Sequence, residues 1–270
     1  MIEIPKFKIR ASACGKIMGQ LKGITEKQIS ELNELEVKKS NKGLTAIQEK
    51  KLETLKKKLA DSKSAKASDR LPETAKTYLQ EWLKEQIYGR RKDISNKYIT
   101  KGIQSEDEAI DLLMQYKDLV LNSKNTERRE NEHMTGECDL LYPEMIFDTK
   151  CSYDCFSFPL FKTELRTNHD YYYQGQVYMD LYGVKKHTVA YVLCNTPADI
   201  VEQQIRRESY GLDTEQKNKV FDRVAAYHSY DRIDLSKRIK CFEFDYDDSV
   251  IQRIVSRVEL CRKYIEELIG

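Results

Sequence analysis

Thr135-Gly136-Glu137-Cys138-Asp139-Leu140-Leu141-Tyr142-Pro143-Glu144-Met145-Ile146-Phe147-Asp148-Thr149-Lys150 is the stretch on which the reading of this chain turns. β-favouring residues on either side of a Tyr142-Pro143-Glu144 break predict a hairpin, with 138–141 and 145–150 as neighbouring strands. In that pairing Asp139 lies beside Asp148. Side chains alternate along a strand, so Asp148 and Lys150 share one face while Phe147 and Thr149 take the other. Two carboxylates with a lysine next to them form a hard-oxygen cation site of the kind that suits Mg²⁺. Such a site serves phosphodiester cleavage: the ion acidifies a water and neutralises phosphate charge, and the lysine orients or deprotonates that water. Trios of this kind also arise on exposed hairpins, so the pattern needs support from elsewhere in the chain.

Support comes from both flanks. Upstream, Lys101-Gly-Ile-Gln-Ser-Glu106-Asp-Glu-Ala109 leads into a predicted helix from about Gln104 to Lys117, apolar at Ala109, Leu112 and Leu113. Glu106 is the acid placed to add a third ligand, with Asp107 and Glu108 expected in solvent. Downstream, Tyr171–Leu181 is expected as a helix on which Gln174 and Tyr178, four apart, share a face. The Gln174 amide could hold a phosphate or a metal-bound water, while most of Tyr171–Tyr173 and Tyr182 are expected to pack in the core. Leu119–Cys151 is read as three antiparallel strands, followed by strands at His187–Cys194 and Lys240–Phe244 and a closing helix to Leu268. This order describes an α/β core with a mixed sheet.

Towards the N-terminus, Phe7–Arg10 is strand-like, a helix opens at Ser12, and another beginning near Pro72 carries Leu79, Trp82 and Leu83. Between them, the polar stretch from Thr25 to about Ala67 carries Leu32, Leu35, Leu52, Leu55 and Leu59 at helical spacing around an Asn41-Lys42-Gly43 turn, which predicts a helical hairpin. There is no internal repeat. The domain expectation is a single unit over 1–270, with the hairpin at 25–67 inserted and the chemistry in 100–195.

Composition excludes more than it suggests. Forty-six basic and 44 acidic residues leave a net charge of +2, so overall charge gives no hint of nucleic acid. No apolar run approaches the roughly 20 residues of a membrane span, and MIEIPKFKIR lacks the apolar core of a secretory signal. A cytoplasmic location is expected, with no membrane partner. Seven cysteines, at 14, 138, 151, 155, 194, 241 and 261, contain no CxxC pair. They read as reduced thiols; no iron–sulfur cluster is expected, and Cys151 with Cys155 is only a weak metal signal.

Taken in order, G-x-x-x-E-x-x-A (Gly102, Glu106, Ala109), G-x-x-D (Gly136, Asp139), D-x-K (Asp148, Lys150) and Q-x-x-x-Y (Gln174, Tyr178) resemble the phage exonuclease family that includes lambda exonuclease and the YqaJ-type recombinases. They also resemble the nuclease domain of RecB. The resemblance covers roughly 100–195 and implies a PD-(D/E)xK, restriction-endonuclease-like core: a mixed central sheet flanked by helices, here with the added N-terminal helical hairpin. It implies Mg²⁺, with Mn²⁺ substituting, held by Glu106, Asp139 and Asp148. Lys150 would serve the attacking water, and Gln174 with Tyr178 would support the site. Implied too are 5′ to 3′ action on duplex DNA ends, a single-strand annealing protein as partner, a homo-oligomer such as a trimer, and the host cytoplasm if the chain is phage-encoded. Ile9-Arg10-Ala11-Ser12 resembles the family segment whose serine grips a 5′-phosphate, a role Ser12 could fill at a helix start, plain N-capping being the alternative. The family's arginine seven residues earlier is replaced by Pro5, leaving Lys6, Lys8 or Arg10 to substitute. Two alternatives stand beside this: a structure-specific endonuclease on the same core, and a DNA-binding or scaffold protein without cleavage.

Overall fold

The computed structural model describes residues 4–21, 23–64, 66–93, 96–120, 124–167 and 169–270. They fall into two compact units. The first comprises the described residues of Met1–Lys92, Glu132–Met134 and Ser249–Gly270, and the second those of Asp93–Asn131 and Thr135–Asp248.

The first unit is built from β1 (Ile9–Arg10), α1 (Cys14–Ile17), α2 (Glu26–Lys42), α3 (Ala46–Ser64), α4 (Ala67–Arg70) and α5 (Glu73–Tyr88), and receives the last helix of the chain. α2 and α3 occupy the polar stretch where a hairpin is predicted. Thr25 and Gln28 cap α2 reciprocally, and Gly43, at φ 73°, turns the chain back. Leu32 and Leu35 pack on Leu52 and Leu55, with Leu44 and Leu59 half-buried against them, a small apolar seam. Phe7 lies edge-on to Trp82, their ring centroids 5.0 Å apart.

The second unit carries α6 (Lys97–Gln104), α7 (Glu106–Lys117), β2 (Arg129–Glu130), β3 (Met134–Gly136, whose first residue counts with the first unit), β4 (Leu140–Leu141), β5 (Met145–Cys151), α8 (Asp170–Tyr182), β6 (Lys186–Val192), α9 (Ala198–Glu208), α10 (Thr214–His228) and β7 (Ile239–Asp245). The chain then ends in α11 (Asp248–Ile269), whose Arg257 Nη1 donates to the Ile17 carbonyl at 2.6 Å within the first unit. Where three strands are predicted between Leu119 and Cys151 the described residues form four, and the predicted 138–141 strand keeps only Leu140-Leu141 because Cys138-Asp139 stays outside the ladder. The helix expected from about Gln104 to Lys117 is α7, with Glu106 as its first residue, and a further helix, α6, precedes it across Ser105.

The functional sheet runs β4-β5-β6-β7. β4 and β7 are antiparallel to their neighbours, whereas β5 and β6 run parallel, joined by a crossover through α8. On one face Ala109, Ile110, Leu113 and Met114 of α7 pack on Leu140, Phe147, Ala190 and Val192. On the other, α8 comes so close that a Cβ on Gly175 would stand 2.6 Å from Phe244 Cζ and 2.8 Å from His187 Nδ1. His187 is fully buried, neither ring nitrogen has a hydrogen-bond partner, and burial pushes its pKa down to about 3, so it is neutral packing.

The two helical glycines of this unit should respond oppositely to alanine. Gly175→Ala overpacks the α8 contact and should cost about 1–3 kcal/mol. Gly102→Ala meets no atom within 4 Å and should gain roughly 0.5–1 kcal/mol from helix propensity. Urea unfolding of both variants measures this; equal effects would mean that the close approach at Gly175 is not real.

Candidate active site

β4 is only two residues long, so it pairs with β5 at Phe147 and Ile146 and stops. Beyond Phe147 the edge of β5 would present an unpaired backbone N–H, a costly group to bury. The Asp139 side chain fills that gap: its Oδ2 accepts from Thr149 N at 2.7 Å and from Thr149 Oγ1 at 2.9 Å. A carboxylate thus stands where a longer strand would have offered a carbonyl.

Asp148 is the most enclosed acid of the site, 1 % exposed. Gln174 Nε2 donates to its Oδ1 at 3.3 Å and to the Tyr178 hydroxyl at 2.9 Å. The amide therefore orients Asp148 instead of reaching outward for a phosphate. Lys150 Nζ lies 2.6 Å from Asp148 Oδ2, an ion pair without hydrogen-bond alignment, so that Oδ2 has no hydrogen-bond partner. The same ammonium sits 4.8 Å from the centre of the Tyr171 ring. Tyr171 is thus part of the site and not core filling.

Electrostatics follow from this crowding. Burial, then the neighbouring Asp148 charge, push Asp139 up to about 7. Burial also raises Asp148, against the pull of Lys150, with the Glu106 charge adding to the rise. For Lys150, burial opposes the charged form, but the carboxylates of Asp148 and Asp139 outweigh it and its pKa is raised. Lys150 therefore holds its proton at neutral pH.

Glu106 begins α7 and lines, with Gly102, Ala109, Thr149, Lys150 and Tyr171, an open cleft of about 290 Å³. Its Oε2 accepts from Lys124 Nζ at 2.7 Å. Among the described residues, only Glu132, His133 and Glu259 bring three ligand atoms within 4.8 Å of one another. Lys6 and Arg262 already engage that group. Of the three predicted acids only Glu106 lines this cleft; Asp148 feels the charges of Glu106 and Lys150, Asp139 those of Asp148 and Lys150, and the three are not closed to ligand spacing. Asp107 is exposed as expected, whereas Glu108 is not merely solvated: its Oε1 accepts from Asn195 N at 3.4 Å and lies 3.9 Å from Arg238.

Ser12 is exposed within a short 3₁₀ turn, Ala11–Ala13, that has no side-chain cap, so it is not an N-cap. Arg10 is paired with Glu85 at 3.1 Å. Both belong to the first unit. Thr149, Tyr171 and Lys124 were not legible as site residues. Thr149 carries the one available signal, as the residue enclosed by the D-x-K pair.

No model of a protein family matches the chain, and no curated protein matches it in sequence. Solved structures do. A phage-related exonuclease from Haemophilus somnus 129PT superposes with a TM-score of 0.67 at 28 % identity, over 98 % of this chain and 96 % of that one. An alkaline exonuclease (LHK-Exo) from Laribacter hongkongensis superposes with a TM-score of 0.52 at 12 % identity, over 97 % and 89 %, a likeness of fold. Described as a mixed α/β fold with four motifs in the expected order, this chain is a structural relative of the phage-type exonucleases.

Proposed function

We propose that the chain is a Mg²⁺-dependent deoxyribonuclease that degrades linear duplex DNA from its ends, 5′ to 3′. One observation carries this reading: a half-buried Asp139 and a buried Asp148 feel each other's charge, and the Lys150 ammonium beside Asp148 also lines an open cleft, in a fold shared with a phage-related exonuclease. The residues fit a hard divalent cation. Asp148 Oδ2, buried, meets only the Lys150 ammonium, and burial with the neighbouring Asp148 charge pushes the Asp139 carboxyl up to about 7, against the pull of Lys150. Asp139 and Asp148 would hold the ion, Mg²⁺ or Mn²⁺, and Glu106 would join when Lys124 releases it. When bound, such an ion neutralises charge building on a phosphate and makes a water more acidic.

The protein's own groups supply the rest. Thr149 fixes Asp139, and Gln174, backed by Tyr178, fixes Asp148. Lys150, protonated, presents its ammonium to a phosphate oxygen where negative charge accumulates. The reading extends to generating single strands for phage-type recombination, with a single-strand annealing protein as partner and a homo-oligomer, such as a trimer, as the working form. That extension rests on the sequence resemblance alone.

The test is digestion of linear duplex DNA, with and without 5′-phosphate, beside the same DNA as a closed circle, in Mg²⁺ and in excess chelator. Loss of the linear form alone, abolished by chelation, is expected. A requirement for the 5′-phosphate would implicate Ser12 and Arg10. Equal attack on the circle would make the protein an endonuclease, and no cleavage of any form would remove the enzymatic reading. Asp148→Asn and Lys150→Ala should each lower the rate by roughly 10²–10³-fold, as for loss of a transition-state donor, with DNA binding retained.

The raised Asp139 pKa makes a second prediction. Below about pH 7 a proton competes with the cation for this carboxylate. Calorimetric Mn²⁺ or Mg²⁺ affinity should therefore rise from pH 6 to pH 8 with proton release, and Asp139→Asn should weaken binding and flatten that dependence. In the metal-free protein the sign is opposite. A carboxyl with a raised folded pKa contributes stability that is full below its unfolded pKa and is lost as pH rises through 7. The metal-free melting temperature should thus fall over the range in which affinity rises.

A further inference from the structure

The segment between β5 and α8 holds aromatic side chains out in water. Phe156 is 83 % exposed and Phe161 is 91 % exposed. This exposure is built in. Asp154 and Ser157 lock the turn reciprocally, with Ser157 N donating to Asp154 Oδ1 at 2.8 Å and Asp154 N accepted by Ser157 Oγ at 3.0 Å. Between the two exposed rings, Phe158 is buried against Leu193 and Tyr230 and pins the loop to the sheet. A loop anchored this firmly and still presenting two phenyl rings keeps them for contact with something.

Phe161 lines a groove of about 450 Å³ together with Lys162, Glu164, Arg166, His169 and Tyr191. Two permanent cations against one acid give it a positive bias. It also continues from the catalytic cleft. The His169 ring lies 4.9 Å from that of Tyr171, and Tyr171 lies 5.9 Å from Tyr191. Tyr171 in turn lies under the Lys150 ammonium. An unbroken run of rings therefore leads from the reacting centre into the groove. Exposed aromatics interleaved with lysine and arginine are how proteins hold single-stranded nucleic acid, bases stacking on rings and phosphates meeting cations. A volume of this size takes a short run of one strand, not a duplex, whose major groove alone is about 12 Å wide.

We infer that this groove holds a single-stranded stretch of the DNA strand whose phosphate occupies the catalytic cleft, with Phe161 stacking on a base and Lys162 and Arg166 contacting the backbone. The inference rests on the nuclease reading for the identity of the strand. Its test uses the full chain in chelator, where fluorescence anisotropy reads binding of a labelled oligothymidylate without cleavage. Phe161→Ala should weaken binding roughly tenfold with an unchanged salt dependence, and Phe161→Trp should restore it. The Lys162→Ala, Arg166→Ala pair should flatten the slope of log affinity against log salt by about 1.4, from about 0.7 per phosphate contact on a single strand. All three should hydrolyse bis(p-nitrophenyl) phosphate in Mg²⁺ as wild type does, since that diester has no strand to hold. Unchanged oligonucleotide affinity in both alanine variants overturns the groove while leaving the nuclease reading intact if wild type degrades linear DNA. An equal loss of affinity for closed circular duplex overturns the single-strand assignment. Groove-dependent binding by a wild-type protein that degrades no DNA supports the groove and removes the nuclease reading alone.

Discussion

Two carboxylates enclosed in one low-dielectric pocket repel each other, and neither ionises freely until positive charge arrives. The arrangement around Asp139 and Asp148 follows from that constraint. Asp148, almost wholly out of water, needs compensation inside the protein, and Lys150 supplies it from two residues along the same strand face. Gln174 adds a neutral donor whose direction Tyr178 fixes. Asp139 receives only neutral donors, both from Thr149, and it is the acid whose pKa rises to about 7.

The surrounding fold makes this crowding possible. β4 is short, which frees the Thr149 N–H for a side-chain oxygen. Gly175 lets α8 press close to β6, and that approach brings Gln174, one residue before it, within reach of Asp148. A larger residue at 175 would lift the helix and the amide together. His187, beneath the same helix, is kept neutral by burial, so it adds no charge to a pocket whose balance is already tight.

Much of this was legible because strand alternation and helical spacing are local rules. Asp148 with Lys150, and Gln174 with Tyr178, follow from periods of two and four, and the hairpin register that sets Asp139 beside Asp148 follows from one Pro-containing break. The α2–α3 pair was readable from its leucine spacing. What was not readable depends on where chains meet in space. Tyr171 looked like its two core neighbours, and only the β5-α8-β6 crossover puts it under Lys150. Lys124, one lysine among many, reaches Glu106 across 18 residues of chain. The short helix α6 before Ser105 was not predicted at all. Ser12 had a helix-start pattern, but the structure forms a three-residue turn there, too short to provide a capped N-terminus.

A charge count of the cleft shows what it lacks. Glu106, Asp139 and Asp148 face Lys124 and Lys150, with Lys124 paired to Glu106 and Lys150 to Asp148. One acid is left over, and it is Asp139. Its charge can be met by a proton, which its raised pKa favours, or by a cation from outside. A phosphodiester brings another negative charge to the same place. Alone it meets an unbalanced carboxylate; with a divalent cation it meets a neutral or positive site. Under the proposed reading these residues would favour substrate and cation entering together, and Asp139, which has no ion pair of its own, would couple the one to the other.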